Sequence, residues 1–197
     1  MTSIPIILLA AGASRRMEGA DKLMRCIDGE PLLRRTARRA LSVGPLYVAL
    51  PPEPHPRHAA IADLDAHIVP IPDAAEGMNA SLRGAVAALP PTVPAAMVLL
   101  ADLPDLTEED LKVILQAVDT KSKNLIWRGA TDDGAPGHPV VFARSLFPEL
   151  LALTGDAGAQ GVARSHADRT VCIRLPGSNA RQDLDTEQDW ADWLARH

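Results

Sequence analysis

Apolar runs alternate with amphipathic segments along the whole chain. Short apolar runs predict strands at Ile4–Ala10, Leu46–Leu50, His67–Ile71, Ala95–Ala101, Asn124–Trp127, Pro139–Phe142 and Thr170–Leu175. The continuous apolar character of PIILLA and AAMVLLA is typical of strands buried on both faces. Apolar residues at helical spacing predict helices at Pro31–Val43, Ala80–Leu89 with Asn79 as its cap, Thr107–Val118, Ala157–His166 and Glu187–Ala195. Strands that alternate with helices predict an α/β fold with a mostly parallel sheet covered on both faces.

Composition and charge narrow the class of protein. The 197 residues suit one domain over 1–197, in which the region of about 129–178 is richer in loops. A net charge of −5 without a basic stripe argues against a nucleic-acid surface. No apolar run reaches the roughly 18–20 residues of a membrane span, and no secretory signal is recognised. Cys26 and Cys172 lack metal-binding spacing, so we expect two reduced thiols in a cytoplasmic protein. From the charge and the short apolar runs we expect neither a nucleic-acid partner nor a membrane partner.

The first predicted strand leads into the stretch LLAAGASRRMEGADK. Its small residues allow a ligand to approach the backbone closely, and backbone N–H groups bind anions. Arg16 and Lys22 add positive charge, so the stretch is typical of a polyphosphate site, although a Walker A spacing is absent. An arginine-rich surface loop is the alternative. The candidate nucleotide-binding residues are Leu9, Ala10, Ala11, Gly12, Ser14, Arg16 and Lys22.

Carboxylates follow a second buried strand and precede the last helix. Asp102 comes directly after an apolar run, where an unpaired carboxylate is costly. It is a candidate Mg²⁺ ligand, and a turn before Pro104 is the alternative. Asp183 and Asp185 are two positions apart, so their side chains point to one side of an extended segment. We favour Asp183 as the second metal ligand. In the alternative interpretation, Asp185 or Thr186 caps the last helix. If the two strands are neighbours, Lys22, Arg16 and Asp102 face one crevice.

Two further stretches contain candidate binding residues. In EGMNASLRGA, Asn79 and Ser81 place polar groups at a predicted helix N-terminus, which is compatible both with nucleotide binding and with a simple cap. In GHPVVF, His138 enters a predicted strand and is a candidate substrate contact, with a structural histidine as the alternative.

Taken in order, these motifs resemble the nucleotidyltransferases of the molybdenum-cofactor family. The stretch from Leu8 to Met24 is similar to the LAAGxSxRMGxxK signature of that family, with the spacing from Arg16 to Lys22 retained. Five later stretches resemble further elements of the family in the same order. EGMNASLRGA is similar to GMxxSLRxG, ADLPDL to GDMP, and GHPVVF to GxPxLF. GDAGAQGV is similar to GDxGAR, and DLDTEQDW to DIDTPEDW. The similarity extends from one end of the chain to the other.

The resemblance implies a Rossmann-like three-layer fold of the nucleotide-diphospho-sugar transferase type, which binds a nucleoside triphosphate and Mg²⁺. It implies that an acceptor phosphate attacks the α-phosphorus and that pyrophosphate leaves. On this resemblance Arg16, Lys22 and Asp102 are catalytic, and Asp102 and Asp183 hold the metal. The residues that the resemblance assigns to the acceptor side are His138, Asp156 and Asp185.

The same resemblance favours particular substrates. The guanylyl-transferring branch reads LAGG where this chain reads LAAG, and the methyl group of Ala11 would crowd a purine. We therefore expect CTP as the donor and the terminal phosphate of molybdopterin as the acceptor, with a molybdoenzyme or its chaperone as a further partner.

The sequence departs from the family pattern at Glu18, Ala101 and Gln160. Two alternatives follow from these departures. One is a nucleotidyltransferase that uses GTP or acts on a sugar phosphate or another small phosphate. The other is a non-catalytic protein that binds a nucleotide or cofactor and serves as a chaperone for a molybdoenzyme.

Overall fold

The computed structural model describes residues 3–13, 20–156 and 158–196. The strands are β1 (Ile6–Leu9), β2 (Cys26–Ile27), β3 (Glu30–Pro31), β4 (Leu46–Leu50), β5 (His67–Pro70), β6 (Ala95–Leu100), β7 (Ile126–Ala130), β8 (Pro136–Ala143) and β9 (Thr170–Arg174). The helices are α1 (Leu32–Leu41), α2 (Pro56–Ala60), α3 (Met78–Ala87), α4 (Glu108–Gln116), α5 (Phe147–Leu151), α6 (Gln160–Ser165) and α7 (Glu187–Leu194).

Seven strands form one sheet in the order β5-β4-β1-β6-β8-β7-β9, and β2 pairs with β3 in a separate two-stranded sheet. In the large sheet β1 runs parallel to β4 and β6, β4 runs parallel to β5, and β7 runs parallel to β9. Only β8 is antiparallel to its neighbours, β6 and β7. The predicted α/β fold with a mostly parallel sheet is confirmed.

Helices cover both faces of this sheet. Alternate residues of β1 belong to different core clusters, because successive side chains of a strand point to opposite faces. Leu8 packs in the cluster that includes Ile114 of α4 and Trp190 of α7, whereas Ile7 packs in the cluster that includes Leu82 of α3 and Phe147 of α5. Burial on both faces explains why the central strands are uniformly apolar, and it produces three layers.

Helix α3 begins earlier than predicted. It starts at Met78 with Gly77 as the N-cap residue, so the prediction that Asn79 caps the helix is wrong. Gly77 has a φ of 114°, and a Cβ at this position would lie 2.5 Å from Cβ of Asp156. Asn79 lies inside the first turn, where its Nδ2 donates to the Thr154 carbonyl at 2.6 Å. The side chain therefore anchors the following loop instead of the helix terminus.

The region 129–178 contributes strands to the large sheet. β8 begins at Pro136, three residues before the predicted start, so His138 lies within a strand paired on both sides. Cys26 and Cys172 are both exposed free thiols. Across the described ranges, no helix is sufficiently long and apolar to pass through a bilayer.

We expect Gly137→Ala to destabilise the fold. A Cβ there would lie 2.2 Å from the carbonyl oxygen of Ala180, and His138 N–H already donates to that oxygen at 2.8 Å. Such overpacking lowers the free energy of unfolding by about 1–3 kcal/mol. Gly161→Ala is the matched control, because no atom lies within 4 Å of its Cβ position in α6, and it should stabilise by about 0.5–1 kcal/mol. Urea unfolding compares them, and equal effects would contradict the prediction.

Candidate functional site

The site lies where β1 and β6 end. These strands pair in parallel, with Leu9 opposite Leu100, so the loops that follow them start side by side at one edge of the sheet. Both loops line a cleft of about 580 Å³. The expectation that the loop after β1 and Asp102 face one crevice is confirmed.

Most of the predicted site residues line this cleft: Leu9, Ala10, Ala11, Gly12, Lys22, Ser81, Asp102, Asp156, Asp183 and Asp185. Ser14 and Arg16, predicted to bind the nucleotide, lie outside the described residues. His138 lines a neighbouring pocket instead, and Asn79 is buried beside the Thr154 carbonyl. The tertiary structure thus brings residues from five distant parts of the sequence to one cleft.

Lys22 is held between two carboxylates. Its Nζ donates to Oδ2 of Asp102 at 2.5 Å and to Oδ1 of Asp185 at 2.5 Å. Burial by itself lowers the pKa of Lys22, but attraction to Asp102 and then Asp185 outweighs it, so the pKa is raised. The lysine therefore carries a fixed positive charge in the cleft.

The segment before α7 supplies the other carboxylates. Thr186, not Asp185, caps α7, since its hydroxyl accepts from Asp189 N–H at 3.1 Å. Burial raises the pKa of Asp183, and the nearby charges of Asp102 and Asp185 raise it further. Lys22 thus lies among the carboxylates of Asp102, Asp183 and Asp185. Glu76 and Asp156 also line the cleft, so its described residues carry an excess of negative charge that favours a further cation.

The carboxylate of Asp102 fits a metal ligand. Its Oδ2 binds Lys22, but its Oδ1 is buried without a hydrogen-bond partner among the described residues, an arrangement that is costly. Within that part of the chain, no three or more His, Cys, Asp or Glu side chains are grouped as a metal site. Mg²⁺ often takes only one or two protein carboxylates when phosphates and water complete its shell. Asp102 with Asp183 or Asp185 fits such a shared ion.

Arg57 of α2 is a site residue that sequence reasoning missed. Its guanidinium is 2% exposed, and Nη1 donates to the carbonyls of Ala10 and Gly12 at 2.6 and 2.8 Å. Its Nε and Nη2 donate to the two carboxylate oxygens of Asp21 at 2.8 and 2.7 Å. Burial raises the pKa of Asp21, but the Arg57 contacts outweigh it and lower that pKa. Arg57 therefore clamps the start of the small-residue loop to the residue that precedes Lys22.

Comparison with known proteins identifies the type of domain. The family model of the MobA-like NTP transferase domain matches residues 6–170. A phosphoenolpyruvate guanylyltransferase of Sanguibacter keddieii is 32% identical over 134 residues. That match covers 65% of this chain and 46% of the relative, so the chain matches less than half the length of that protein.

Solved structures resemble the chain over its whole length. The crystal structure of Rv0371c from Mycobacterium tuberculosis is 28% identical with a TM-score of 0.84, covering 98% of each chain. A structure of Rv0371c in complex with manganese is 27% identical with a TM-score of 0.83, covering 100% of each chain. A nucleotidyl transferase of Methanothermobacter thermautotroptrophicus, 17% identical with a TM-score of 0.84, shares the fold over 100% of this chain and 98% of its own.

We expect Arg57→Ala to weaken both the fold and the site. Removing the clamp takes two donors from the Asp21 carboxylate, which keeps the bond from Leu23 N–H at 3.0 Å, and takes the guanidinium from the carbonyls of Ala10 and Gly12. This loss lowers the free energy of unfolding by at least about 2 kcal/mol. The affinity for CTP with Mg²⁺ should fall as well, because Lys22 follows Asp21 directly. Urea unfolding and calorimetry measure the two effects.

Arg34→Ala is the control for this variant. Arg34 also donates from two nitrogens to one carboxylate, but this partner, Asp63, is exposed. The free energy of unfolding and the nucleotide affinity of Arg34→Ala should therefore stay nearly unchanged. If Arg57→Ala lost stability and kept full nucleotide affinity, the clamp would have no part in positioning the site.

Proposed function

The chain belongs to the MobA-like NTP transferase domain family, and we propose that it transfers a nucleotidyl group from a nucleoside triphosphate to the phosphate of a small acceptor. The observation that carries the proposal is the cluster of Lys22, Asp102 and Asp185 at the end of a small-residue loop, with one oxygen of Asp102 unpartnered. CTP, Mg²⁺ and the terminal phosphate of a molybdopterin-type acceptor are the substrates and ion that the sequence motifs favour.

Charge and position account for the chemistry in this proposal. Donor and acceptor phosphates repel each other, so the protein must offset their charge and align them for in-line attack. A divalent ion held by Asp102 supplies charge neutralisation at the reacting phosphates when it is bound. Lys22 provides a fixed ammonium in the same cleft, and the small side chains of Ala10, Ala11 and Gly12 let phosphates approach the backbone. An acceptor phosphate is already ionised, so no general base is needed.

A second acceptor class has its own support. The relative from Sanguibacter keddieii is named for guanylyl transfer to phosphoenolpyruvate, and it is 32% identical over the matched region. This similarity favours a compact acceptor that carries both a phosphate and a carboxylate, with GTP as the donor. The two classes differ in donor base and in acceptor, so one matrix of nucleotides and acceptors separates them.

We expect pyrophosphate release when a nucleoside triphosphate, Mg²⁺ and an acceptor phosphate are combined with the protein. The assay crosses CTP and GTP with molybdopterin and phosphoenolpyruvate. Asp102→Asn should lower the rate by at least about 100-fold, because the amide loses the negative charge that holds the ion. Asp105→Asn is the matched control in the same loop; Asp105 accepts from the Trp193 indole N–H at 2.7 Å, so the rate should stay within about twofold of wild type.

Two outcomes would count against the proposal, and a third would change only the acceptor. Near-normal turnover in Asp102→Asn would remove the metal argument. Nucleotide binding without pyrophosphate release across the acceptor panel would favour a non-catalytic binding protein. Turnover only with sugar phosphates would replace both acceptor classes.

Ala11→Gly tests the base preference. Ala11 lines the cleft, and if its methyl group crowds a purine, its removal should shift the ratio of GTP to CTP use by about tenfold toward GTP. The measurement is kcat/KM for each nucleotide with one acceptor. Ala13→Gly removes a methyl group from the same cleft and should leave the ratio unchanged. Equal ratios in wild type and Ala11→Gly would refute the assignment.

A further inference from the structure

A smaller pocket adjoins the nucleotide cleft. It has a volume of about 260 Å³ and shares Leu9 and Met78 with the cleft. Its walls are mostly apolar, with Leu82, Val98, Val140 and Phe142 among them. The pocket therefore continues the cleft toward β8 and β7.

Two polar residues of neighbouring strands, Arg128 and His138, lie in this pocket. Arg128 of β7 lies opposite Val140 of β8, and the side chains of Arg128, His138 and Val140 all line the pocket. The charges of Arg128 and of Asp102 in the cleft both act on His138.

Arg128 is a cation without a counter-ion. Its Nε and Nη2 donate to the carbonyl of Gly137 at 3.1 and 2.9 Å, and no carboxylate of the described residues forms an ion pair with it. Burial lowers its pKa, and the positive charge of Arg181 lowers it further, but a guanidinium stays protonated at neutral pH. No acidic side chain lines the pocket among the described residues. A half-buried charge in this situation is costly unless a ligand compensates it.

His138 does not share the positive charge. Burial, and then the neighbouring Arg128, lower its pKa to about 4, so the ring is neutral at pH 7. Nδ1 of this ring is buried without a hydrogen-bond partner among the described residues. A neutral ring adds no positive charge that would attract an anion. Arg128 is then the one positive group among the described residues that line the pocket.

We propose that Arg128 binds a carboxylate of the acceptor, so that the enzyme selects compact organic acids that carry a phosphate. This inference rests on the proposed function, because the acceptor phosphate must reach the nucleotide at Asp102. A carboxylate matches the planar fork of a guanidinium, and its single charge matches the single charge of Arg128. A second phosphate would bring up to two negative charges against one cation in an apolar pocket. The small volume excludes a large acceptor body from this pocket.

A matched pair of ligands tests the inference. Phosphoglycolate and ethyl phosphate share a phosphomonoester on two carbons, but only phosphoglycolate has a carboxylate. The full chain with Mg²⁺ is titrated with each ligand, and amide NMR shifts report the Kd. Wild type should bind phosphoglycolate about tenfold or more tightly than ethyl phosphate. Arg128→Gln should reduce that preference to within about twofold and leave the Kd of CTP unchanged.

Two further variants make the result specific. Arg181→Gln removes a nearby positive charge and should keep the preference for phosphoglycolate, because Arg128, unlike Arg181, is among the residues that line the pocket. Arg128→Lys keeps the positive charge but loses the planar guanidinium, so it should keep part of the preference for phosphoglycolate over ethyl phosphate. If Arg128→Gln has lost its native amide spectrum, Arg128→Lys replaces it in the test.

The outcomes separate this inference from the proposed function. Equal binding of the two ligands by wild type, or a preference that survives Arg128→Gln, would overturn the carboxylate site. A preference that depends on Arg128 in a chain that releases no pyrophosphate with any nucleotide and acceptor would overturn the transferase and leave the carboxylate site in place.

Discussion

The ammonium of Lys22 between Asp102 and Asp185 is the contact on which the site depends. It joins residues that are 80 and 163 positions apart in the chain. The contact forms only because β1 and β6 are parallel neighbours and the last segment of the chain returns to the same edge of the sheet. With Asp183 in the same cleft, carboxylates outnumber the lysine among the described residues, which suits the divalent cation and the phosphates of the proposed reaction.

The charge cluster needs a stable loop beside it, and Arg57 provides that stability. Arg57 is 2% exposed. Burial of its charge is tolerated because the guanidinium donates to two loop carbonyls and to both carboxylate oxygens of Asp21. The same contacts hold the residue that precedes Lys22. Backbone polar groups that would otherwise be unsatisfied thus become the anchor of the nucleotide cleft.

The cleft and its neighbouring pocket have opposite electrostatic characters. The cleft has an excess of carboxylates, whereas the pocket beside it contains Arg128 without a counter-ion among the described residues. In the proposed reaction the first holds a metal-bound triphosphate and the second an anionic acceptor. Because the two cavities share walls at Leu9 and Met78, these ligands would lie side by side, as a transfer between two anionic substrates requires.

The sequence by itself determined the alternation of strands and helices and the small-residue loop, and it made Lys22 and Asp102 candidates for the site. Apolar periodicity and motif spacing are local properties, so they can be read without a structure. Only the tertiary structure decided the start of α3 and the surroundings of Arg57 and Arg128. Each depends on partners that are distant in sequence: the Thr154 carbonyl, the loop after β1, and the absence of a nearby carboxylate within the described residues. An arginine on a short helix or strand looks like surface charge until the fold shows what surrounds it.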